Sequence, residues 1–148
     1  MKTAIFLWRF QPFHIGHMSI VDKIFSNGYE QLLIVIGSAE KSGTDENPWT
    51  LQEREEIIRA SIPLELQEKM DILWLDDVSD DDVWCENLKK LFYEEFTLFT
   101  GNEWVRGICE RHEIKTDWIV PTIDISGTKI REMMRNGENV SSLTQLVK

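Results

Sequence analysis

Thr3-Ala4-Ile5-Phe6-Leu7-Trp8-Arg9-Phe10-Gln11-Pro12-Phe13-His14-Ile15-Gly16-His17 is the stretch on which the fold is read. Residues 3–8 read as a strand apolar on both faces, the pattern of a strand buried in a parallel sheet. The spacing then becomes helical: Ile15, Met18, Val21, Ile24 and Phe25 form one stripe over residues 15–27, and Gly28 ends it. Between strand and helix lies a polar turn with Arg9, His14 and His17. A strand running into a helix N-terminus leaves unpaired N–H groups and a partial positive charge, which suits an anion. His14 and His17, three apart, lie near one face of the first helical turn. Gly16 removes a side chain where a phosphate would approach the backbone. Both imidazoles are expected to donate hydrogen bonds to phosphate oxygens, more strongly when protonated.

The same alternation continues outward. Gln31–Ile36 reads as a second buried strand and 37–49 as a polar loop. Thr50 and Glu53 form a capping box that opens a helix to about Ser61. Asp71–Leu75 is a third strand, and Ser79 or Asp80 caps a helix to about Phe92. Phe96–Thr100 is a fourth strand, followed by a short helix after Asn102, and Thr116–Val120 is a fifth. Ser126 opens a last helix that stops at Asn136-Gly137. This order predicts an α/β fold: one Rossmann-like, doubly wound, parallel five-stranded sheet with helices on both faces. Residues 1–148 are expected to form a single domain. Ligands of such sheets bind outside the carboxyl ends of the strands, where the strand order reverses. Arg9–His17 and Ser126–Arg131 both fall at such ends.

A formal net charge of −10 argues against a nucleic-acid backbone as partner. A small phosphorylated ligand needs only local donors. These cluster at the two ends: Lys2, Arg9, His14 and His17 early, Lys129, Arg131 and Arg135 late. The central acids Asp76, Asp77, Asp80, Asp81 and Asp82 read as a solvated loop and helix start. No apolar run approaches the roughly 20 residues that span a bilayer, and the N-terminus enters a strand rather than a leader. No membrane partner and a cytoplasmic address are therefore expected. Cys85 and Cys109 stand singly and are expected to be reduced and structural. Nothing sets the oligomeric state, and a homo-oligomer stays open.

A second motif, Ile125-Ser126-Gly127-Thr128-Lys129-Ile130-Arg131, places two hydroxyls at a helix N-terminus. Arg131, near one turn on, is placed to fork onto phosphate oxygens. The plainer alternative is helix capping by Ser126 with Arg131 on a wet face. Trp84 lies on an early helical turn, where an indole packs in the core or offers a face to an electron-poor ring.

Arg9-Phe10-Gln11-Pro12-Phe13-His14-Ile15-Gly16-His17 resembles the first signature of the H-x-G-H nucleotidylyltransferases. In its longer form it is similar to that of the archaeal-type nicotinamide-mononucleotide adenylyltransferases. Ile36-Gly37-Ser38-Ala39-Glu40-Lys41-Ser42, Glu46-Asn47-Pro48-Trp49-Thr50 with Glu53-Arg54, Asp77-Val78 with Trp84, and Thr100-Gly101-Asn102 extend the resemblance. So does the Ser126–Arg131 motif. The likeness runs from about residue 3 to residue 138, and the family commonly continues for another helical segment.

The resemblance implies transfer of AMP from ATP to nicotinamide mononucleotide, giving NAD and pyrophosphate. His14, His17, Arg9 and Arg131 would hold the phosphates and the charge developing on them. Ser126, Gly127 and Thr128 would meet the β- and γ-phosphates. Phe10, Gln11 and Gly16 would bind through the first motif. Gly37, Ser38, Gly101 and Asn102 would line the adenosine side, and Trp84 with Asp77 and Val78 would frame the nicotinamide. Magnesium would be carried mainly by the ATP phosphates, with no metal site of the protein's own.

The chain departs from the family at Trp8, where the family has glycine. Strand alternation predicts Trp8 turned away from the crevice and Arg9 turned in, unless the indole occludes part of the nucleotide site. Trp49, Trp74, Trp104 and Trp118 are read as packing. Alternatives are the same chemistry on nicotinate mononucleotide or phosphopantetheine, and a non-catalytic nucleotide sensor. A metal hydrolase would need a third ligand at metal spacing, which the sequence does not supply.

Overall fold

A computed structural model describes residues 2–119, 121 and 123–146. Its strands are β1 (Thr3–Trp8), β2 (Gln31–Ile36), β3 (Met70–Trp74), β4 (Thr97–Phe99) and β5 (Thr116–Asp117). Its helices are α1 (Ile15–Ser26), α2 (Leu51–Ser61), α3 (Leu64–Gln67), α4 (Asp81–Lys89), α5 (Glu103–Arg111) and α6 (Gly127–Arg135). The sheet order is β3-β2-β1-β4-β5, and every pairing is parallel. The chain builds outward from β1 to β3, then crosses to the other side of β1 for β4. The order therefore reverses between β1 and β4, which opens a crevice at their carboxyl ends.

The alternation of β1 divides the core into two layers. Ala4 and Phe6 pack with Ile20, Val21 and Ile24 of α1 and Ile57 and Ile58 of α2. Ile5 and Leu7 pack on the opposite face with Trp84, Cys85 and Leu88 of α4 and Val105, Ile108 and Cys109 of α5. The doubly wound sheet expected from the sequence is the observed architecture. Both cysteines are free and buried, and burial pushes the Cys109 thiol up to about 12.

Several boundaries differ. β4 and β5 are shorter than their apolar runs, and Val120 lies outside the described residues. Helix α4 stops at Lys89, and Leu91 and Phe92 turn against the α4–α5 core layer instead of extending the helix. The single turn α3 was not foreseen; Gln67 holds it by bonding the carbonyls of Arg59 and Ile62. Asp80, not Ser79, caps α4, its Oδ1 accepting from the N–H groups of Asp82 and Val83. Within α4, Asp81 pairs with Arg111 and Asp82 with His112 at the surface, which ties α4 to α5.

Candidate active site

The first motif forms the carboxyl-end loop of β1 and the first turn of α1. His14 is the N-cap, and its Nδ1 accepts from the N–H groups of Gly16 (3.1 Å) and His17 (3.4 Å). His17 Nδ1 accepts in return from the His14 N–H at 3.1 Å. The rings stack with centroids 3.7 Å apart. A backbone N–H can only donate, so both Nδ1 atoms are unprotonated and each neutral ring carries its proton on Nε2. Burial lowers the His14 pKa to about 4, and burial together with His14 holds His17 well below its usual value. The expectation of stronger binding through protonated imidazoles is thereby corrected: protonation would break the cap that positions both rings. Among the described residues neither Nε2 has a partner, and no fully buried side-chain nitrogen lacks one. The Nε2 atoms are therefore not completely sealed from solvent, although the residues are only 4% and 3% exposed.

The open α1 N-terminus expected from the sequence is also corrected. Gly16 and His17 N–H are taken by the His14 ring, and Ile15 N–H by the Leu143 carbonyl. Thr144 Oγ1 donates to the Phe13 carbonyl, so residues 143–144 brace the motif from behind. Gly16 is needed first for its own helix cap, since a Cβ there would stand 2.8 Å from the His14 ring. At α6 the situation is reversed. Ser126 Oγ takes only the Lys129 N–H, which leaves the N–H groups of Gly127 and Thr128 without a partner among the described residues.

Arg131 reaches from α6 to the first motif. One terminal nitrogen donates to the Gln11 carbonyl at 2.6 Å and the other to Thr128 Oγ1 at 3.2 Å. Gly127 leaves room for this, because a Cβ would meet both the guanidinium and the Gln11 carbonyl at 3.0 Å. Burial, then Arg9 and Arg135, pull its pKa down, the signature of three cations gathered without a full complement of anions. Arg9, Arg131, Arg135, Thr128, Asp45 and Glu46 line a cavity of about 440 Å3.

Arg9 also lines a second, larger cavity of about 620 Å3 at the carboxyl ends of β1, β2 and β4. Gly37, Ser38, Asp77, Trp84, Gly101 and Asn102 surround it together with Trp8, Lys41 and Trp104. The residues assigned to the adenosine side and those assigned to the nicotinamide side thus face one space. Asp77 closes part of its mouth, accepting from Ser38 Oγ (2.8 Å) and pairing with Lys41 (2.9 Å). Val78 instead packs with the α4–α5 layer.

Three expectations about aromatic side chains change. The Phe10 ring is fully buried among Phe6, Phe13 and His17, so only its backbone, held at φ 54, faces the loop. Trp8 lies over Gly101, where a Cβ would come within 2.3 Å of its ring, and meets His17 edge-on at 5.6 Å. The strand alternates to its end: Trp8 pairs with Ile36 and packs against Phe6, and from that face its indole extends over the crevice. Trp74 and Trp104 are exposed, contrary to the packing role expected, whereas Trp118 packs under Arg106 and Trp49 against the α1–α2 core layer. The Gln11 amide pairs with the backbone of Trp49, its Nε2 donating to the carbonyl and its Oε1 accepting from the N–H. Both ends of the amide are thereby held to the loop, which leaves one Nε2 hydrogen beyond those two bonds.

A cytidylyltransferase-like family model matches residues 5–133. The chain belongs to that family. Among curated cytidylyltransferase-like relatives, the nicotinamide-nucleotide adenylyltransferase of Thermoplasma volcanium is 35% identical over 92% of this chain and 77% of its own length. That of Methanococcus maripaludis is 34% identical over 92% and 80%. A solved bifunctional NMN adenylyltransferase/ADP ribose pyrophosphatase from Francisella tularensis superposes with a TM-score of 0.81 at 21% identity. It shares the fold over 95% of this chain, which spans 44% of that larger protein. The same Francisella protein has been solved with AMP and a manganese ion.

One residue important to this family member's site was quoted in the sequence but given no role. Arg54 is 0% exposed. Its guanidinium reaches six backbone carbonyls, those of Arg9, Gly37, Ser38, Ala39, Lys41 and Thr50, at 3.0–3.3 Å. It fixes the loop after β2 against the loop after β1. The available signal was its place on the buried stripe of α2 with Ile57 and Ile58.

Proposed function

We propose that the protein transfers AMP from ATP to nicotinamide mononucleotide, forming NAD and releasing pyrophosphate. The observation that carries this is the pair of adjoining cavities joined at Arg9. One is lined by arginines and the α6 N-terminus, the other by tryptophans. A triphosphate suits the first and a mononucleotide with a flat cationic ring suits the second. Relatives at 34–35% identity carry the corresponding name.

An oxygen of the acceptor phosphate attacks the α-phosphorus of ATP, and the bond to the β-bridging oxygen breaks. The acceptor oxygen is already ionised near neutrality, so no general base is required. Catalysis is positioning and charge stabilisation. His14 and His17 donate from Nε2 to oxygens around the α-phosphorus without being charged themselves. Arg131, held by Gln11 and Thr128, presents its remaining N–H groups to the leaving pyrophosphate, with Gly127 and Thr128 N–H alongside. Arg9 sits between the two substrates and is exposed, with one long contact of 3.5 Å to Asn47. Magnesium carried on the phosphates would offset part of their charge. Asp45 and Glu46 beside the arginines suit outer-shell contacts to it.

Purified protein given ATP, magnesium and, in turn, nicotinamide mononucleotide, nicotinate mononucleotide and phosphopantetheine tests the reading. Pyrophosphate and NAD should appear together with the first. Pyrophosphate released only with phosphopantetheine, or with none of the three, would overturn it.

A further inference from the structure

Trp84 has little open surface with which to carry a stacked ring. Its indole is 6% exposed and packs in the α4–α5 layer with Cys85 and Leu88. The open aromatic face in the same cavity belongs to Trp104, in the first turn of α5. It is 56% exposed, and its ring lies 6.3 Å from that of Trp84 at 50°. Its backbone is fixed, because Asn102 Oδ1 accepts from the N–H groups of Trp104 and Val105. The side chain therefore stands at a defined place on the cavity wall while its face stays free. Glu103, next to it on the same wall, has an exposed carboxylate.

An indole face beside a carboxylate attracts a flat cation more than a flat neutral ring. The two substrates differ in this respect: a pyridinium nucleotide has a cationic ring, whereas adenine is neutral near pH 7. We infer that Trp104 is a specificity-determining residue, supplying the open face on which the cationic ring of the acceptor stacks, with Trp84 as the buried edge of that subsite. This rests on the acceptor reading above and deepens it. The sequence resemblance pointed to Trp84 alone. The structure moves most of the available stacking area to Trp104.

The test is calorimetric titration of wild type, Trp104→Leu and Trp104→Phe with three ligands. These are nicotinamide mononucleotide, its reduced form, whose dihydropyridine ring is neutral and no longer aromatic, and ATP. Trp104→Leu should bind the oxidised mononucleotide about ten-fold more weakly, the scale of one lost stacking contact. ATP affinity and the melting temperature should stay near wild type, since the side chain is largely in solvent. The preference of wild type for the oxidised over the reduced ring should shrink in Trp104→Leu and largely persist in Trp104→Phe. Unchanged binding of the oxidised form, an equal loss for both ring forms, or a loss confined to ATP would each overturn the inference. If wild type itself does not bind the oxidised mononucleotide, the acceptor reading fails first, and that result is distinct from the other three.

Discussion

At His14 and His17, adding a proton would undo the arrangement that places them. Each Nδ1 accepts from the backbone, so a second ring proton has no site without losing the cap. The sign of the pH effect follows. The unfolded chain takes up protons as pH falls through 6.5, while folded His14 resists until about 4 and burial holds folded His17 well below 6.5. The stability contributed by these two groups is complete above pH 6.5 and is lost progressively between 6.5 and 4. The slope is at most about 1.4 kcal/mol per pH unit for each imidazole. Nitrogen-detected NMR of the folded protein should show both rings neutral, with the proton on Nε2, down to pH 5. A ring titrating near 6.5 would contradict the cap.

Trp8 is the other residue with a sharp consequence. Its indole covers Gly101 and flanks His17, standing between the larger cavity and the imidazole pair. Because it is only half-buried, Trp8→Gly should cost about 2 kcal/mol, less than the roughly 3–5 of a fully buried aromatic. It should also lower the KM for ATP by widening access to the Nε2 donors. A thermal melt and steady-state kinetics on this variant check both. A large stability loss with unchanged ATP kinetics would return Trp8 to the core.

Among the elements, the loop after β2 owes its shape to α2. Arg54 projects from the buried stripe of that helix, and its positive charge is met by carbonyl dipoles instead of a carboxylate. Arg54→Met would keep much of the volume and leave several buried carbonyls unpaired. The expected loss is about 3–5 kcal/mol, or about 10 °C in Tm for a chain of this size. The loop carrying Ser38 and Lys41 should loosen with it, so the KM for the acceptor should rise. Calorimetric melting and acceptor kinetics read the two effects. A Tm within 2–3 °C of wild type would mean that the carbonyls find other partners.

Over the whole molecule, the sheet and its helices were legible because burial on both faces leaves unbroken apolar runs. The caps Thr50, Asp80 and Ser126 mark where the periodicity changes. The site was legible as two motifs at strand ends. What could not be read were contacts between residues distant in sequence. The Leu143 carbonyl takes the Ile15 N–H at the start of α1, and Gln11 pairs with the Trp49 backbone. The reach of Trp8 was also hidden, because alternation assigns the indole to the Phe6 face without saying how far it extends beyond the carboxyl end of the strand. Trp104 and Trp84 have the same composition signal and opposite exposure. Only the packing of α4 against α5 separates them.

The central claim is direct transfer of AMP to the acceptor phosphate by attack at the α-phosphorus. Nicotinamide mononucleotide labelled with oxygen-18 on its phosphate tests it in one mass-spectrometric measurement with ATP and magnesium. All label should be retained in NAD, including the oxygen that bridges its two phosphorus atoms, with none in pyrophosphate. Label in pyrophosphate, or no labelled NAD at all, would contradict the account.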